Sequence, residues 1–150
     1  WSIFMQKTSD DNIGYYIGQI YRKGLTTISN ELQEFGIGSG QYAFLLQLYQ
    51  KDGINQEKLS TLLSVDKTTV ARAVKKLEEK QLIYRIRDEQ DKRCYKVFVT
   101  EKAWKMKEHV LRKVNIWDET IKKNLTDEEE AQMLYLLRKI TDNLIRGENI

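Results

Sequence analysis

The 150-residue sequence contains no proline, one cysteine (Cys94) and one histidine (His109). Without proline, no position is barred from a helix interior by a missing amide hydrogen, so long unbroken helices are allowed. A single cysteine excludes an intrachain disulfide framework and fits a reducing compartment. One histidine and one cysteine are too few soft ligands for a zinc cluster, so no metal site is expected. The longest apolar run, residues 42–46 (YAFLL), is broken by Gln47 and is far too short to span a membrane. Residues 1–7 (WSIFMQK) lack the basic start and long apolar stretch of a secretory signal. These absences point to a cytoplasmic protein without membrane association. No Ser-His-Asp set and no phosphate loop is readable, so neither enzymatic activity nor a cofactor is expected.

What is present divides unevenly. The formal net charge is only +3, but residues 55–100 hold eleven basic against seven acidic side chains, a local excess of +4. The rest of the chain is therefore slightly acidic. A local basic excess attracts polyanions through counterion release, which makes nucleic acid the first partner to consider.

Hydrophobic spacing predicts a helix over residues 11–35, with Ile13, Ile17, Ile20, Gly24, Ile28, Leu32 and Phe35 on one stripe. The glycine-rich stretch 36–40 ends it, and Ser39 is expected to cap the next helix. Residues 41–50 are apolar nearly all round, as in a buried central helix. Asp52-Gly53 then makes a turn. Asn55 caps a short helix whose Leu59, Leu62 and Leu63 should face inward, and Asp66 caps another over residues 67–80. Residues 84–87 and 94–99 read as two strands joined by a charged loop, a hairpin. Two long helices follow. Thr100 caps the first, which carries an apolar row at Met106, Val110, Val114, Trp117 and Ile121 and a second at Trp104 and Leu111. The capping box Thr126–Glu129 starts the second, with Met133, Leu136, Leu137, Ile140 and Leu144 as its expected core row.

A helix-turn-helix followed at once by a charged hairpin is the winged-helix arrangement. On the second short helix, 100° per residue gathers Val70, Val74 and Leu77 toward the core. Thr68, Arg72, Lys75 and Glu79 lie opposite, with Thr69 and Lys76 beside them. Such a helix fits the major groove, where arginine can grip guanine through two hydrogen bonds. Arg93 at the loop tip could enter the minor groove or hold phosphate, with Asp91 orienting it. The competing reading is a winged-helix module that has given up DNA for a protein partner. Cations kept together at helix face and wing tip argue against it.

Residues 59–83 (LSTLLSVDKTTVARAVKKLEEKQLI) resemble the helix-turn-helix of MarR-type transcription regulators. Residues 85–93 (RIRDEQDKR) and 97–102 (VFVTEK) resemble the same family's Asp-x-Arg wing and its return strand into a helix. The resemblance implies a mainly α fold with a small β wing. It would have a dimerisation helix within residues 1–36, a winged helix-turn-helix at 37–100, and dimerisation helices at 101–150. It implies a homodimer on palindromic double-stranded DNA, acting as a repressor. Ser39, Lys67, Thr68, Thr69, Arg72, Lys75, Lys76, Arg85, Asp91, Lys92 and Arg93 form the expected DNA-binding set. Of these, the resemblance makes Arg93 the wing contact and Asp91 its support. It also implies a small, aromatic or phenolic effector, for which Tyr15, Tyr16, Tyr42 and Trp104 are the candidate residues. Two departures stand out: Gln81 and Ala103 replace frequent glycines, and Gln81 suggests that the preceding helix ends without a left-handed residue. The cysteine of the family's redox-sensing branch is absent from residues 16–25. A thiol switch at Cys94 would need Arg93 to lower its pKa.

Overall fold

The computed structural model describes residues 12–147, with side chains through residue 145. Helix α1 (Ile13–Leu32) is capped by Asn12, whose side chain accepts from the Tyr15 amide, and runs into a 3-10 turn at Gln33–Phe35. Gly36 closes that turn at φ 67°, a left-handed conformation that costs glycine nothing. Helix α2 (Tyr42–Gln50) starts later than the sequence suggested. Its N-cap is Gln41 rather than Ser39, because the Gln41 Oε1 turns back to accept from the Gly38 amide and fixes the loop.

Strand β1 (Ile54–Asn55) precedes helix α3 (Gln56–Leu63) and helix α4 (Lys67–Glu79). The wing is β2 (Ile83–Arg87) and β3 (Tyr95–Val99), and the sheet order is β1-β3-β2, all antiparallel. Three strands were therefore formed where two were expected. A two-residue strand has no readable period, and β1 exists only through its pairing of Ile54 with Val97. Gly53 (φ 72°) lets the chain pass under Phe98, whose ring would lie 2.8 Å from any Cβ there. Asn55 and Asp66 cap α3 and α4 as expected, accepting from the Lys58 and Thr69 amides.

The core gathers Leu32, Ile37, Leu45, Leu48, Leu59, Val70, Val74, Leu77, Leu82, Ile83 and Val97, all at most 2% exposed. Leu62 does not join it and stays exposed, so of the three leucines expected to face inward only Leu59 is fully buried.

Helix α4 ends on Gln81 at φ 58°, so the left-handed stop is kept without glycine. The Leu82 amide donates to the Leu77 carbonyl at 3.0 Å and the Gln81 amide to that of Glu78 at 2.9 Å, the two bonds of a Schellman stop. Thr100 Oγ1 donates to the Gln81 carbonyl and holds the strained residue in place.

Helix α5 (Glu101–Lys122) is started by Thr100, whose Oγ1 accepts from the Ala103 amide; α6 (Asp127–Gly147) is started by the reciprocal Thr126–Glu129 box. Two compact units divide the chain, one ending at Asn115 and the other beginning at Ile116. In the first, Lys113 bridges Glu31 and Glu34 at 3.3 and 3.4 Å, and Tyr49 donates to the buried Ala103 carbonyl at 2.7 Å. In the second, Lys122 meets Asp118, Glu119 and Glu130.

The apolar rows of the long helices are only partly buried. Gly24, Ile28 and Leu32 of α1 are buried, but Ile13, Ile17 and Ile20 are exposed. Val110 of α5 is buried and Trp104, Leu111 and Ile116 are exposed. The expected α6 core row is not a core in the single chain: Met133 is half-buried, and Leu136, Leu137, Ile140 and Leu144 are exposed. Among the described residues, these helices therefore leave apolar side chains exposed.

Candidate nucleic-acid interface

Helix α4 is built to present one face. Val70, Ala73, Val74 and Leu77 are buried, so Thr68, Arg72, Lys75, Lys76 and Glu79 are left exposed on the other side. Asp66 fixes where this helix begins: one carboxylate oxygen accepts from the Thr69 amide at 2.8 Å and the other from the Thr69 hydroxyl at 2.7 Å. Those bonds hold the Asp66 carboxyl below its ordinary range. They also commit the Thr69 hydroxyl to the cap, leaving Thr68 with the exposed one.

Two concave surfaces flank α4. A groove of about 670 Å3 is lined by Ser39, Gly40 and Gln41 before α2, and by Thr69, Arg72, Lys76, Glu79 and Lys80. Ser39 thus enters the site beside Arg72 and Lys76 rather than as a helix cap. A smaller cavity of about 160 Å3 lies between the start of α3, the start of α4 and the wing, lined by Gln56, Glu57, Lys67, Val70, Arg93, Cys94 and Tyr95. Lys67 of the helix and Arg93 of the wing therefore line one space, together with Glu57. Two ion pairs tie the parts together. Lys67 meets Glu57 at 2.8 Å, and Arg85 meets Glu78 at 2.6 Å.

At the wing tip, Asp91 Oδ1 accepts from the Arg93 amide at 3.1 Å and from its Nε at 3.2 Å, while Lys92 is exposed. The Asp91 carboxyl is held below its ordinary range by these bonds. Its other oxygen accepts from the Cys94 thiol at 3.6 Å. The expectation that Arg93 lowers the Cys94 pKa is not met. Burial, and then the Asp91 carboxylate, push the thiol up.

Arg87 and Tyr95, outside the expected set, also meet on the wing, the Arg87 Nη2 donating to the Tyr95 hydroxyl. Arg85 and Arg87 share a face of β2 by the period of two, and that spacing could have pointed to both. The effector candidates are less well gathered. Tyr15 and Tyr16 meet edge to face on α1 and are exposed, Trp104 packs on Tyr49, and Tyr42 is half-buried. The two concave surfaces beside α4 are lined by other residues.

A MarR family model matches residues 37–95, from the loop before α2 to the first residue of β3. The HTH-type transcriptional regulator YybA of Bacillus subtilis (strain 168) is 39% identical over 131 residues, 87% of each chain. The chain belongs to the MarR family of transcriptional regulators. Its architecture agrees with that of a MarR transcriptional regulator from Methanosarcina mazei Go1, at a TM-score of 0.85 and 39% identity over 89% of this chain and 96% of that one. A MarR-family regulator from Listeria monocytogenes, solved in complex with 26-mer DNA, is similar at a TM-score of 0.85 and 29% identity, covering 91% of each chain. The matched family and the relatives are transcriptional regulators. Among the described residues, no helix is long and apolar enough to cross a membrane.

Proposed function

We propose that the chain is a homodimeric, sequence-specific repressor of the cytoplasm that binds palindromic duplex DNA. In this reading α4 enters the major groove while Arg93 of the wing holds the adjacent minor groove or phosphate. The observation that carries it is the convergence of Lys67 and Arg93 on one cavity beside a helix face that exposes Arg72, Lys75 and Lys76. The Listeria relative solved with DNA supports the same class of partner. Selection from random duplexes should enrich an inverted repeat whose half-sites lie about one helical turn, roughly 34 Å, apart. Failure to enrich any sequence would refute sequence-specific binding.

The dimer reading rests on exposed apolar side chains: Ile13, Ile17 and Ile20 on α1, Leu111 and Ile116 on α5, and Leu137, Ile140 and Leu144 on α6. Fully burying one such side chain gains roughly 1.5–3 kcal/mol, so a second copy is favoured to cover them. Sedimentation at micromolar concentration should give a dimer, and a monomer there would remove the claim. Effector control rests on the exposed and half-buried aromatics Tyr15, Tyr16, Tyr42 and Trp104, whose rings and hydroxyls suit a small aromatic or phenolic ligand. A panel of phenolic acids should raise the melting temperature and weaken operator binding. No change in either would exclude that control.

A further inference from the structure

Two guanidinium groups share one aromatic ring on the wing. Arg87 lies directly opposite Tyr95 in the β2–β3 ladder, and its Nη2 donates to the Tyr95 hydroxyl at 3.1 Å. The guanidinium carbons of Arg85 and Arg87 sit 4.9 and 5.5 Å from the centre of the Tyr95 ring. Alternation along β2 puts both arginines on the face of Ile83, the face on which β3 presents the buried Val97 and Val99. Tyr95 also lines the cavity that holds Lys67 and Arg93.

The two arginines differ in what they have left to offer. Arg85 is taken up by Glu78 of α4 through two bonds, Nε to Oε2 at 2.6 Å and Nη2 to Oε1 at 3.3 Å. Among the described residues no carboxylate forms an ion pair with Arg87, whose side-chain hydrogen bond goes to the neutral Tyr95 hydroxyl. An arginine tied to a carboxylate through two nitrogens, as Arg85 is, has few N–H donors left for a phosphate, whereas Arg93 meets Asp91 through Nε alone and keeps its Nη groups for one. An arginine held by a ring and a hydroxyl keeps its charge and several N–H donors for a phosphate.

We infer that Arg87 is a second wing contact to the phosphate backbone of duplex DNA, positioned by Tyr95, and that Arg85 serves as an internal tie between wing and α4. The inference rests on the DNA-binding reading and assigns to Arg87 a role the sequence suggested for Arg85. Tyr95 is a positioning residue: it holds the guanidinium in the extended strand geometry before DNA arrives and so lowers the ordering cost of the contact.

The test is a salt titration of binding to a selected duplex by fluorescence anisotropy, using full-length Arg87→Ala, Arg85→Ala, Arg93→Ala, Tyr95→Phe and the Arg87→Ala/Tyr95→Phe double variant. Arg87→Ala should reduce the slope of log K against log salt by about 0.9 per protomer, and Arg85→Ala should leave the slope unchanged. Tyr95→Phe keeps the ring and loses the hydroxyl. It should weaken binding about two- to fivefold, the size of one exposed hydrogen bond, and add nothing on the Arg87→Ala background. Thermal unfolding of Tyr95→Phe should match wild type. If Arg85→Ala reduces the slope and Arg87→Ala does not, the assignment is reversed and the inference is wrong. A Tyr95→Phe penalty that persists undiminished without Arg87 also overturns it. If Arg93→Ala weakens binding and Arg87→Ala does not, this inference alone fails. If wild type binds no duplex, the underlying reading fails with it.

Discussion

The carboxylate of Asp91 holds Arg93 at two points, accepting from its backbone amide at 3.1 Å and from its Nε at 3.2 Å. One acidic residue at a basic wing tip would ordinarily weaken attraction to a polyanion. Here it sets both the local backbone turn and the direction of the guanidinium, trading some net charge for aim. Asp91→Ala should therefore weaken operator binding although it adds positive charge. In an Arg93→Ala background the loss should shrink, since no guanidinium is left to aim. Anisotropy titrations of the four proteins in this cycle check the sign. Stronger binding by Asp91→Ala alone would show that the pairing gives no aim.

Arg72 is exposed on α4 and lines the groove that also contains Ser39 and Lys76. If it reads a base edge, Arg72→Ala should cost roughly 1–3 kcal/mol of binding and relax preference at one base position. Repeating duplex selection with the variant gives the position directly. A uniform loss across all sequences would make Arg72 a phosphate contact instead.

Gln81 occupies a left-handed conformation that penalises any residue with a Cβ by about 1 kcal/mol. Its own side chain is exposed, so little is lost by removing it. Gln81→Gly should stabilise the fold by about 0.5–1 kcal/mol in urea unfolding and leave DNA affinity unaltered. A destabilised variant would mean that the glutamine side chain contributes more than its strain costs.

The Asp66 carboxylate, held below its ordinary pKa by Thr69, stabilises the start of α4 only while ionised. Its folded-state pKa is depressed, so its contribution is full above the unfolded value and disappears as pH falls through the folded one. Melting temperatures of wild type and Asp66→Ala should differ at neutral pH and converge under acid. A gap that survives in acid would assign the effect to something other than the charged cap.

The Cys94 thiol is held above its ordinary pKa, so little thiolate is present at neutral pH. Iodoacetamide should label it slowly and accelerate as the solution is made alkaline. Fast labelling at neutral pH would reopen a redox role.

The sequence made the winged helix legible because its signals are local. Asn55, Asp66, Thr100 and Thr126 are caps read from three or four residues each, and the β-branched and aromatic residues of β2 and β3 mark the hairpin. What depends on partners distant in sequence was hidden. Strand β1 needs Val97, and the division of labour between Arg85 and Arg87 needs Glu78 and Tyr95. Gln41 displaced Ser39 as the cap through a bond back to Gly38, which residue preferences alone do not favour. The rows on α1, α5 and α6 were correctly seen as apolar, yet amphipathic spacing cannot say whether the covering surface belongs to the same chain or to another.

The central claim is that α4 and the wing tip act as one cationic surface for B-form DNA. Its most direct test is binding of a selected duplex by the Arg72→Ala/Arg93→Ala double variant, titrated with salt beside wild type. The expected result is a large loss of affinity together with a shallower salt dependence. Wild-type affinity and slope in the double variant would contradict the claim and return the winged helix to a protein-binding role.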